Sequence, residues 1–313
     1  MKSRHCRDFF IFGSMQQYLR AIPGFSPVIA GCMKWGEWGA KFSRAEYGHM
    51  IRHCLDHGVS TFDHADIYGH YTTEAAFGEV LREDPGLRAQ MQIITKCGIC
   101  MVTPNRPSHQ IKHYNTSAEH IVRSAERSLQ HLHTDHIDLL LIHRPDPLMD
   151  PQDIAEAFTS LKQAGKVLHT GVSNFNVSQL STLHALYPVA VNQVEISLMH
   201  RDALYNGVLD QCIREGIVPQ SWSPLGGGRI HADAEEEQGR KIHAMSQILA
   251  EKYSASFDQI LLAWLMQHPS GIVPVIGTTR KDRIRDAMLA RAIQLTREEW
   301  FMLLRAASGH EVP

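Results

Sequence analysis

The sequence predicts an α/β protein with a single (β/α)8 TIM barrel. Apolar runs of strand length alternate with helix-like segments from about residue 28 to about residue 290, an order that is typical of a parallel sheet covered by helices. Three of these runs end in a residue that carries a charge or a ring nitrogen, namely Asp63, Lys96 and His143. Because barrel strands bring their carboxyl ends to one face, we expect these three side chains to meet there.

Local signals predict each element in turn. The predicted barrel strands cover residues 28–32, 60–63, 91–96, 137–143, 167–171, 190–194, 217–222 and 273–276. Capping boxes are predicted at residues 43–46, 116–119 and 296–299, and the last of them begins a C-terminal helix. Pro151 is expected at the first position of a helix, and further helices are predicted at residues 74–81, 179–186, 202–214, 241–253, 257–267 and 282–290. A doubly wound sheet is the competing topology, but the turn at residues 30–36 lacks the glycine spacing of its phosphate loop.

Two segments depart from the repeating pattern. Residues 1–14 are expected to be a disordered N-terminal extension, with Met15 as an alternative start, and residues 15–313 are expected to form the barrel domain. The connection at residues 97–115 joins the third strand to its helix and is unusually long. Because loops of this length inside a domain are usually functional or mobile, and this one follows a strand end, we expect it to be a substrate lid.

Composition argues against several classes of function. The 313 residues include 31 basic and 33 acidic side chains, for a formal net charge of −2, so no nucleic-acid partner is expected. No apolar run approaches the length of a membrane span, and six scattered cysteines indicate a reduced, cytoplasmic protein. Cys97 and Cys100 leave a redox or metal role open, but without a second CxxC we predict ordinary strand-end cysteines and no metal site. The lack of a sustained heptad pattern favours a monomer.

Tyr68 follows Asp63 closely and completes a set of groups suited to proton transfer. A nearby lysine ammonium lowers the pKa of a phenol, and an aspartate beside the lysine keeps the lysine charged. His143 can hydrogen-bond a carbonyl oxygen and orient it. Such a set would deliver a proton to an oxygen that gains negative charge when hydride reaches a carbonyl carbon. Taken singly, Asp63 and Lys96 could be a buried ion pair, and His143 or Tyr68 a packing residue.

Other strand ends predict a nicotinamide cofactor. Ser173, Asn174 and Gln193 are neutral groups suited to a carboxamide, and Trp222 could stack on a nicotinamide ring. The glycine-rich turn after Trp222 is predicted to let a pyrophosphate approach its backbone N–H groups, and its predicted cofactor-binding residues are Ser223, Pro224, Leu225, Gly226 and Arg229. Loops after the last two barrel strands often bind phosphate. The turn after the last strand contains Gly277, Thr278, Thr279 and Arg280, and Arg280 and Arg283 are predicted to bind a 2′-phosphate.

Seven segments of the chain resemble the aldo-keto reductase family from about residue 22 to the C-terminus. They are FDHADIYG at 62–69, ITKCG at 94–98, LLLIHRPDP at 139–147, GVSNF at 171–175, NQVEIS at 192–197, SWSPLGGG at 221–228 and PVIGTTR at 274–280. Within that family the sequence of these segments is most similar to that of bacterial oxidoreductases of the YdhF type. The resemblance implies a barrel that binds NADPH in extended form and reduces aldehydes or ketones to alcohols.

The resemblance also implies roles for individual residues. The family's catalytic tetrad falls on Asp63, Tyr68, Lys96 and His143, with Tyr68 as general acid. Its nicotinamide contacts fall on Ser173, Asn174, Gln193 and Trp222, and its adenosine-phosphate contacts on Gly277, Thr278, Arg280, Arg283 and Asp286. Gly277 replaces a lysine, and Ala287 an asparagine, that many eukaryotic members have, so the strength of NADPH preference over NADH stays open.

The short tail after the terminal helix implies an open pocket with broad carbonyl acceptance. The expected pocket walls are Trp35, Trp38, Arg144 and the loop at residues 97–115. The alternative function is a nicotinamide-binding sensor or regulatory subunit with little turnover. A metal-dependent barrel hydrolase is a third class, but the chain lacks the ligand spacing it would need.

Overall fold

The computed structural model describes residues 22–311 and shows the predicted TIM barrel. The strands in this range are β1 (Ile29–Gly31), β2 (Thr61–Asp63), β3 (Gln92–Cys97), β4 (Ile99–Cys100), β5 (His113–Tyr114), β6 (Ile137–Ile142), β7 (Val167–Ser173), β8 (Val191–Glu195), β9 (Val218–Trp222) and β10 (Val273–Ile276). Eight of them are parallel neighbours in the closed order β1-β10-β9-β8-β7-β6-β3-β2. The predicted extension at residues 1–14 and the alternative start Met15 lie outside the described residues.

Helices surround the barrel. Their bounds are Arg44–Asp56, Tyr68–Tyr71, Thr73–Glu83, Ala118–Leu132, Pro151–Gln163, Val177–Leu186, Val208–Glu215, Glu237–Tyr253, Phe257–Met266, Lys281–Leu289 and Arg297–Ser308, with 3-10 turns at Pro85–Gln90, Asp202–Leu204, Gly226–Gly228 and Ala290–Ala292. The predicted capping boxes at Ser43 and Thr296 are confirmed, as is Pro151 at the first position of its helix. Among residues 22–311, no helix has the length and apolarity needed to cross a membrane.

Several predicted helix bounds were wrong, among them the start predicted at residue 241, since that helix begins at Glu237. Three of the errors have a local polar or glycine residue as their cause. The helix expected from Thr116 is capped instead by Ser117, because the buried Thr116 hydroxyl faces Asp146 at 3.5 Å. The helix expected over residues 202–214 is interrupted at Gly207, whose φ of +84° is incompatible with a continuing helix. The helix expected from residue 179 begins two residues earlier, because Asn176 forms a capping box with Gln179.

The barrel interior divides into an apolar half and a polar half. Apolar side chains fill the half away from the site, namely Ile22, Phe25, Ile29, Ile94, Leu139, Leu141, Val191, Val218, Val273 and Val275. Gly171 lets β7 approach β8 closely, since a Cβ there would lie 2.7 Å from the carbonyl oxygen of Val191. Near the carboxyl ends of the strands the buried residues become polar. This change places hydrogen-bonding groups at the face where the sequence predicts chemistry.

The connection between β3 and its helix is ordered into a small hairpin. β4 and β5 pair antiparallel, with Ile99 opposite Tyr114 and Cys100 opposite His113. Tyr71 connects the hairpin to the helix that follows β2. Its hydroxyl donates a hydrogen bond to the Ile99 carbonyl at 3.3 Å and accepts one from the Met101 N–H at 2.9 Å. The predicted long loop is therefore present and has secondary structure of its own.

Candidate active site

The structure brings together all four residues of the predicted proton-transfer set. Lys96, in β3, donates to both carboxylate oxygens of Asp63, at 2.8 and 2.7 Å, and to the main-chain oxygen of His64 at 2.8 Å. Its ammonium also lies 3.2 Å from the Tyr68 hydroxyl, and the ring centroids of Tyr68 and His143 are 6.1 Å apart. The two carboxylate oxygens of Asp63 and the main-chain oxygen of His64 fix the position of the Lys96 ammonium beside the Tyr68 hydroxyl.

Burial and the neighbouring opposite charge shift the pKa values of Lys96 and Tyr68 in opposite directions. Burial opposes the charged form of Lys96, yet the carboxylate of Asp63 and the phenol of Tyr68 raise the Lys96 pKa above its usual range. Burial also raises the pKa of Tyr68, an effect that the Lys96 ammonium reduces but does not reverse. The ammonium lowers the Tyr68 pKa as expected, but the net shift is upward, because loss of water disfavours the phenolate more than one ammonium favours it. Tyr68 keeps its proton at neutral pH.

His143 is an uncharged ring at neutral pH. Burial lowers its pKa well below the usual range, and the nearby charges of Lys96, Arg144 and Lys112 add to the shift. Its Nδ1 is buried and has no hydrogen-bond partner among the described residues. A neutral imidazole beside three cations suits a hydrogen bond to an oxygen and does not suit proton donation as an imidazolium.

Gln220, which was not predicted, supports Asp63 indirectly through the predicted residue Gln193. The Nε2 of Gln193 donates to Asp63 Oδ1 at 2.9 Å and to Gln220 Oε1 at 3.0 Å. Gln220 is fully buried in β9. The signal that could have found it is a polar side chain two residues before the strand-ending Trp222. This link orients the carboxylate and uses both N–H bonds of Gln193.

Ser173, Asn174 and Trp222 form a second network beside the first. The Asn174 amide donates to the Ser173 hydroxyl at 2.8 Å and to the His143 carbonyl at 3.3 Å, and its oxygen accepts from Trp222 Nε1 at 3.0 Å. Asn174 has a φ of +62°, a conformation that asparagine tolerates better than most residues. The Arg144 guanidinium lies 5.6 Å from the centroid of the Trp222 ring. The network holds the indole in a single orientation at the end of β9.

A cavity of about 1090 Å³ connects these groups with the turn after β10. Most of the predicted site residues line it, namely Trp38, Asp63, Tyr68, His143, Arg144, Ser173, Asn174, Gln193, Trp222, Ser223, Pro224, Leu225, Gly277, Thr278, Arg280, Arg283 and Asp286. Lys96 does not line the cavity but contacts Asp63 and Tyr68, which do. Ile99, Lys112 and Tyr114 of the predicted loop also line it, as do residues that were not predicted, among them Lys34 and Asp258. The hairpin at residues 97–115 therefore contributes to the wall, as expected of a lid.

Besides Lys96, four predicted site residues do not line the cavity. Trp35 was expected in the pocket wall but is fully buried, where its Nε1 donates to the Thr278 carbonyl at 3.2 Å and its ring packs on Phe62 and Phe77. Arg229 turns away from the cavity and pairs with Glu236 at 3.5 Å. Gly226 and Thr279 are also absent from the lining. Apolar packing decides the position of Trp35, and sequence spacing alone could not show which side of the turn would face inward.

Both arginines predicted to bind a 2′-phosphate are already paired with aspartates. Arg280 donates from Nε to Asp282 Oδ1 at 3.2 Å, and Arg283 Nε lies 3.4 Å from Asp258 Oδ2. Asp286 pairs with Arg285 at 2.8 Å. The far end of the cavity therefore contains acidic as well as basic side chains.

The donor groups along the cavity fit an extended nicotinamide dinucleotide. Amide groups and an aromatic ring lie at the end near Tyr68, and guanidinium groups lie at the other end. Between them lie residues 223–225, of which Ser223 and Leu225 carry a main-chain N–H. The volume is at the upper limit for a small-molecule pocket, about 1000 Å³, so it has room for a molecule longer than a simple carbonyl compound.

The CxxC cysteines have no redox geometry. Cys97 and Cys100 are both buried and both free, and burial raises the pKa of each thiol, to about 11 for Cys100. A thiol with a raised pKa is a poor nucleophile. Within residues 22–311, no group of three or more His, Cys, Asp or Glu side chains is arranged to hold a metal ion.

Comparisons with known proteins place this barrel among the oxidoreductases. The chain belongs to the aldo/keto reductase family, whose family model matches residues 27–306. Oxidoreductase YdhF of Escherichia coli is 44% identical over 294 residues, 93% of this chain and 96% of that protein. A 6-dehydroglucose reductase of Agrobacterium fabrum is 41% identical over 289 residues, 92% of this chain and 96% of that protein. A Klebsiella pneumoniae aldo/keto reductase, solved with NADP and acetate, is 25% identical with a TM-score of 0.73, covering 89% of this chain and 90% of its own. The resemblance read from the sequence is confirmed.

Next to the site, His64 is expected to make the protein less stable as the pH falls. Its ring is fully buried, 4.5 Å from the Phe77 ring centroid, and neither nitrogen has a partner among the described residues. Burial, helped by the charge of Lys96, lowers the His64 pKa to about 3. In the unfolded chain the pKa is about 6.5, so protons bind the unfolded state more readily. The free energy of unfolding should therefore fall as the pH drops from about 6.5, by at most about 1.4 kcal/mol per unit from this residue.

Urea unfolding of wild type and His64→Leu across this pH range checks the prediction. Leucine is apolar and similar in size, and the buried ring nitrogens have no hydrogen bond to lose. The variant should lose stability less steeply than the wild type below about pH 6.5. Equal slopes for the two proteins would show that His64 does not contribute.

Proposed function

We propose that this protein is an NADPH-dependent reductase of aldehydes or ketones, with Tyr68 as the general acid. The observation that carries the proposal is the Lys96 ammonium, held by Asp63 and placed 3.2 Å from the Tyr68 hydroxyl. NADPH, when bound, supplies hydride to a carbonyl carbon. Tyr68 then donates its proton to the carbonyl oxygen, and Lys96 stabilises the phenolate left behind.

Each other group of the site has a part in this reaction. The raised pKa keeps Tyr68 protonated before the reaction, and the neutral His143 is suited to donate one hydrogen bond that orients the carbonyl group. Asp63 keeps Lys96 charged, and Gln193 holds Asp63. The apolar side chains of Trp38, Ile99 and Met101 line the cavity near Tyr68 and reduce the access of water to the reacting oxygen.

The proposed cofactor contacts run from the nicotinamide end to the adenosine end in the order of the strands that precede them. Ser173, Asn174 and Gln193 are proposed for the carboxamide, Trp222 for stacking on the ring, and residues 223–225 for the pyrophosphate. Gly277, Thr278, Arg280, Arg283 and Asp286 are proposed for the adenosine end. The Klebsiella pneumoniae relative, solved with NADP, supports this use of the cavity. The 6-dehydroglucose reductase relative supports reduction of a carbonyl compound.

The test is a titration followed by a turnover assay. Tryptophan fluorescence of the purified chain should fall in a saturable way when NADPH is added, because Trp222 lies in the cavity. NADPH absorbance should then decrease when a panel of aldehydes, ketones and sugar aldehydes is added. Binding of NADPH without turnover on any carbonyl compound would contradict the reductase and favour a nicotinamide-binding sensor. A chain that binds no nicotinamide cofactor would contradict both functions.

The monomeric state and the cytoplasmic location stay predictions. Light scattering of the purified chain would measure its mass in solution, and a mass of twice the 35.3 kDa chain would contradict the first of them.

A further inference from the structure

The adenosine end of the cavity has more acidic than basic side chains. Its lining contains two arginines, Arg280 and Arg283, and three aspartates, Asp258, Asp282 and Asp286. A site for a 2′-phosphate needs unpaired cationic donors, since guanidinium groups bind phosphate through charge-assisted hydrogen bonds. Both arginines already share their donors with a carboxylate. This balance of charge bears on which nicotinamide cofactor the chain accepts.

Asp258 is the carboxylate of this group whose position is best defined. Its side chain is 17% exposed, whereas that of Asp282 is 47% exposed. Asp258 lies in the first turn of the helix Phe257–Met266, whose start is held by a capping box between Ser256 and Gln259. Gln259 also donates to the Asp286 carbonyl at 3.0 Å, which joins this helix to the helix Lys281–Leu289 that carries Arg283. Asp258 therefore cannot move aside as freely as an exposed carboxylate.

A carboxylate at this position interacts differently with NADPH and with NADH. A 2′-phosphate bound to Arg283 would lie near the Asp258 carboxylate, and like charges at short range repel. A ribose 2′-hydroxyl is a donor, and a carboxylate can accept its hydrogen bond, as acidic residues do in NAD sites of other folds. Arg280 and Arg283 attract the phosphate, while Asp258, Asp282 and Asp286 oppose it.

We propose that Asp258 is a specificity-determining residue that weakens the preference of this protein for NADPH over NADH. It does so by holding the Arg283 guanidinium and by placing negative charge beside the site of the 2′-phosphate. The inference rests on the proposed function, which locates the adenosine end of the cofactor at Arg280 and Arg283. It makes the protein an acceptor of both cofactors, with a modest preference for NADPH.

The competing explanation is that Asp258 only stabilises its helix. A carboxylate in the first turn of a helix interacts favourably with the N–H groups and the helix dipole. Under that explanation, replacing Asp258 would change the binding of NADH and NADPH by the same factor. The ratio of the two dissociation constants therefore separates a role in specificity from a role in structure.

The experiment measures Kd for NADPH and NADH by tryptophan fluorescence in wild type and Asp258→Asn. Asparagine has nearly the same shape and removes the charge, so we expect NADPH to bind about tenfold more tightly relative to NADH than in wild type. The control is Asp153→Asn, which removes a partly buried first-turn aspartate from the helix Pro151–Gln163, outside the cavity. This control should leave the ratio unchanged.

Three further measurements test whether the variant is folded, whether the nicotinamide half matters and whether Arg283 is involved. Thermal unfolding shows whether Asp258→Asn is folded, and competition by 2′-AMP and 5′-AMP repeats the comparison without the nicotinamide half. In an Arg283→Met background, Asp258→Asn should change the ratio less than in wild type, because only the repulsion between Asp258 and the phosphate is then removed and no guanidinium is freed.

The outcomes separate this inference from the proposed function. An increased preference for NADPH and for 2′-AMP in Asp258→Asn supports the inference. An unchanged ratio, or equal changes for both cofactors, overturns the inference and leaves the reductase function intact. A wild-type chain that binds neither dinucleotide overturns the proposed function, and this inference with it.

Discussion

Replacing Tyr68 by Phe is expected to reduce kcat by about 10²- to 10⁴-fold, the range typical of a lost general acid. The substitution removes only the hydroxyl, which lies 3.2 Å from the Lys96 ammonium. The phenyl ring can keep its edge contact with Trp38, whose centroid lies 6.0 Å away. Without the hydroxyl no proton donor remains beside the carbonyl oxygen. Steady-state turnover should therefore fall, whereas the Kd for NADPH should stay within about threefold of the wild-type value.

The matched control for this prediction is Tyr205→Phe. Tyr205 is 72% exposed and lies outside the cavity, so its hydroxyl should not affect turnover. If Tyr68→Phe kept more than a tenth of the wild-type kcat, Tyr68 would not be the proton donor. If the variant also lost NADPH binding, the effect would be on the shape of the site rather than on proton transfer.

Replacing Asp63 by Asn is expected to destabilise the fold by about 3–5 kcal/mol and to abolish most turnover. Lys96 and Asp63 have side chains only 1% and 3% exposed, so the ammonium depends on this carboxylate for its charge. With a neutral amide in its place, burial would dominate and the Lys96 pKa would fall. The cost arises because Lys96 must either stay buried as an unpaired charge or give up its proton, and urea unfolding at neutral pH would measure it.

Two controls show whether the Asp63→Asn effect comes from burial of the charge. Removing the ammonium as well, in the double variant Asp63→Asn with Lys96→Met, should recover much of the lost stability but none of the turnover. Glu83→Gln breaks the pair with Arg44, 2.7 Å apart and about half exposed on each side, and should cost less than about 1 kcal/mol. A loss for Asp63→Asn as small as that for Glu83→Gln would mean that the buried pair contributes little to stability.

The face that carries the candidate site was predictable from sequence because it depends on strand ends. Asp63, Lys96 and His143 each follow an apolar run, and a parallel barrel collects such residues on one face whatever the details of packing. The same reasoning placed Ser173, Gln193 and Trp222 around one cavity. Helix starts were predicted less well where two adjacent hydroxyls competed, as with Thr116 and Ser117, because only the surroundings of each hydroxyl decide which one caps the helix.

The sequence by itself therefore determined the family, the barrel and the four residues that meet at its carboxyl face, since all of these follow from local patterns and the order of elements. Only the tertiary structure decided which side chains turn inward. It placed Trp35 in an aromatic cluster instead of the pocket, set the Gln220 amide behind Asp63 through Gln193, and brought Asp258 from a separate helix to Arg283. It also decided that the Tyr68 pKa is raised, because burial depends on everything packed around the ring.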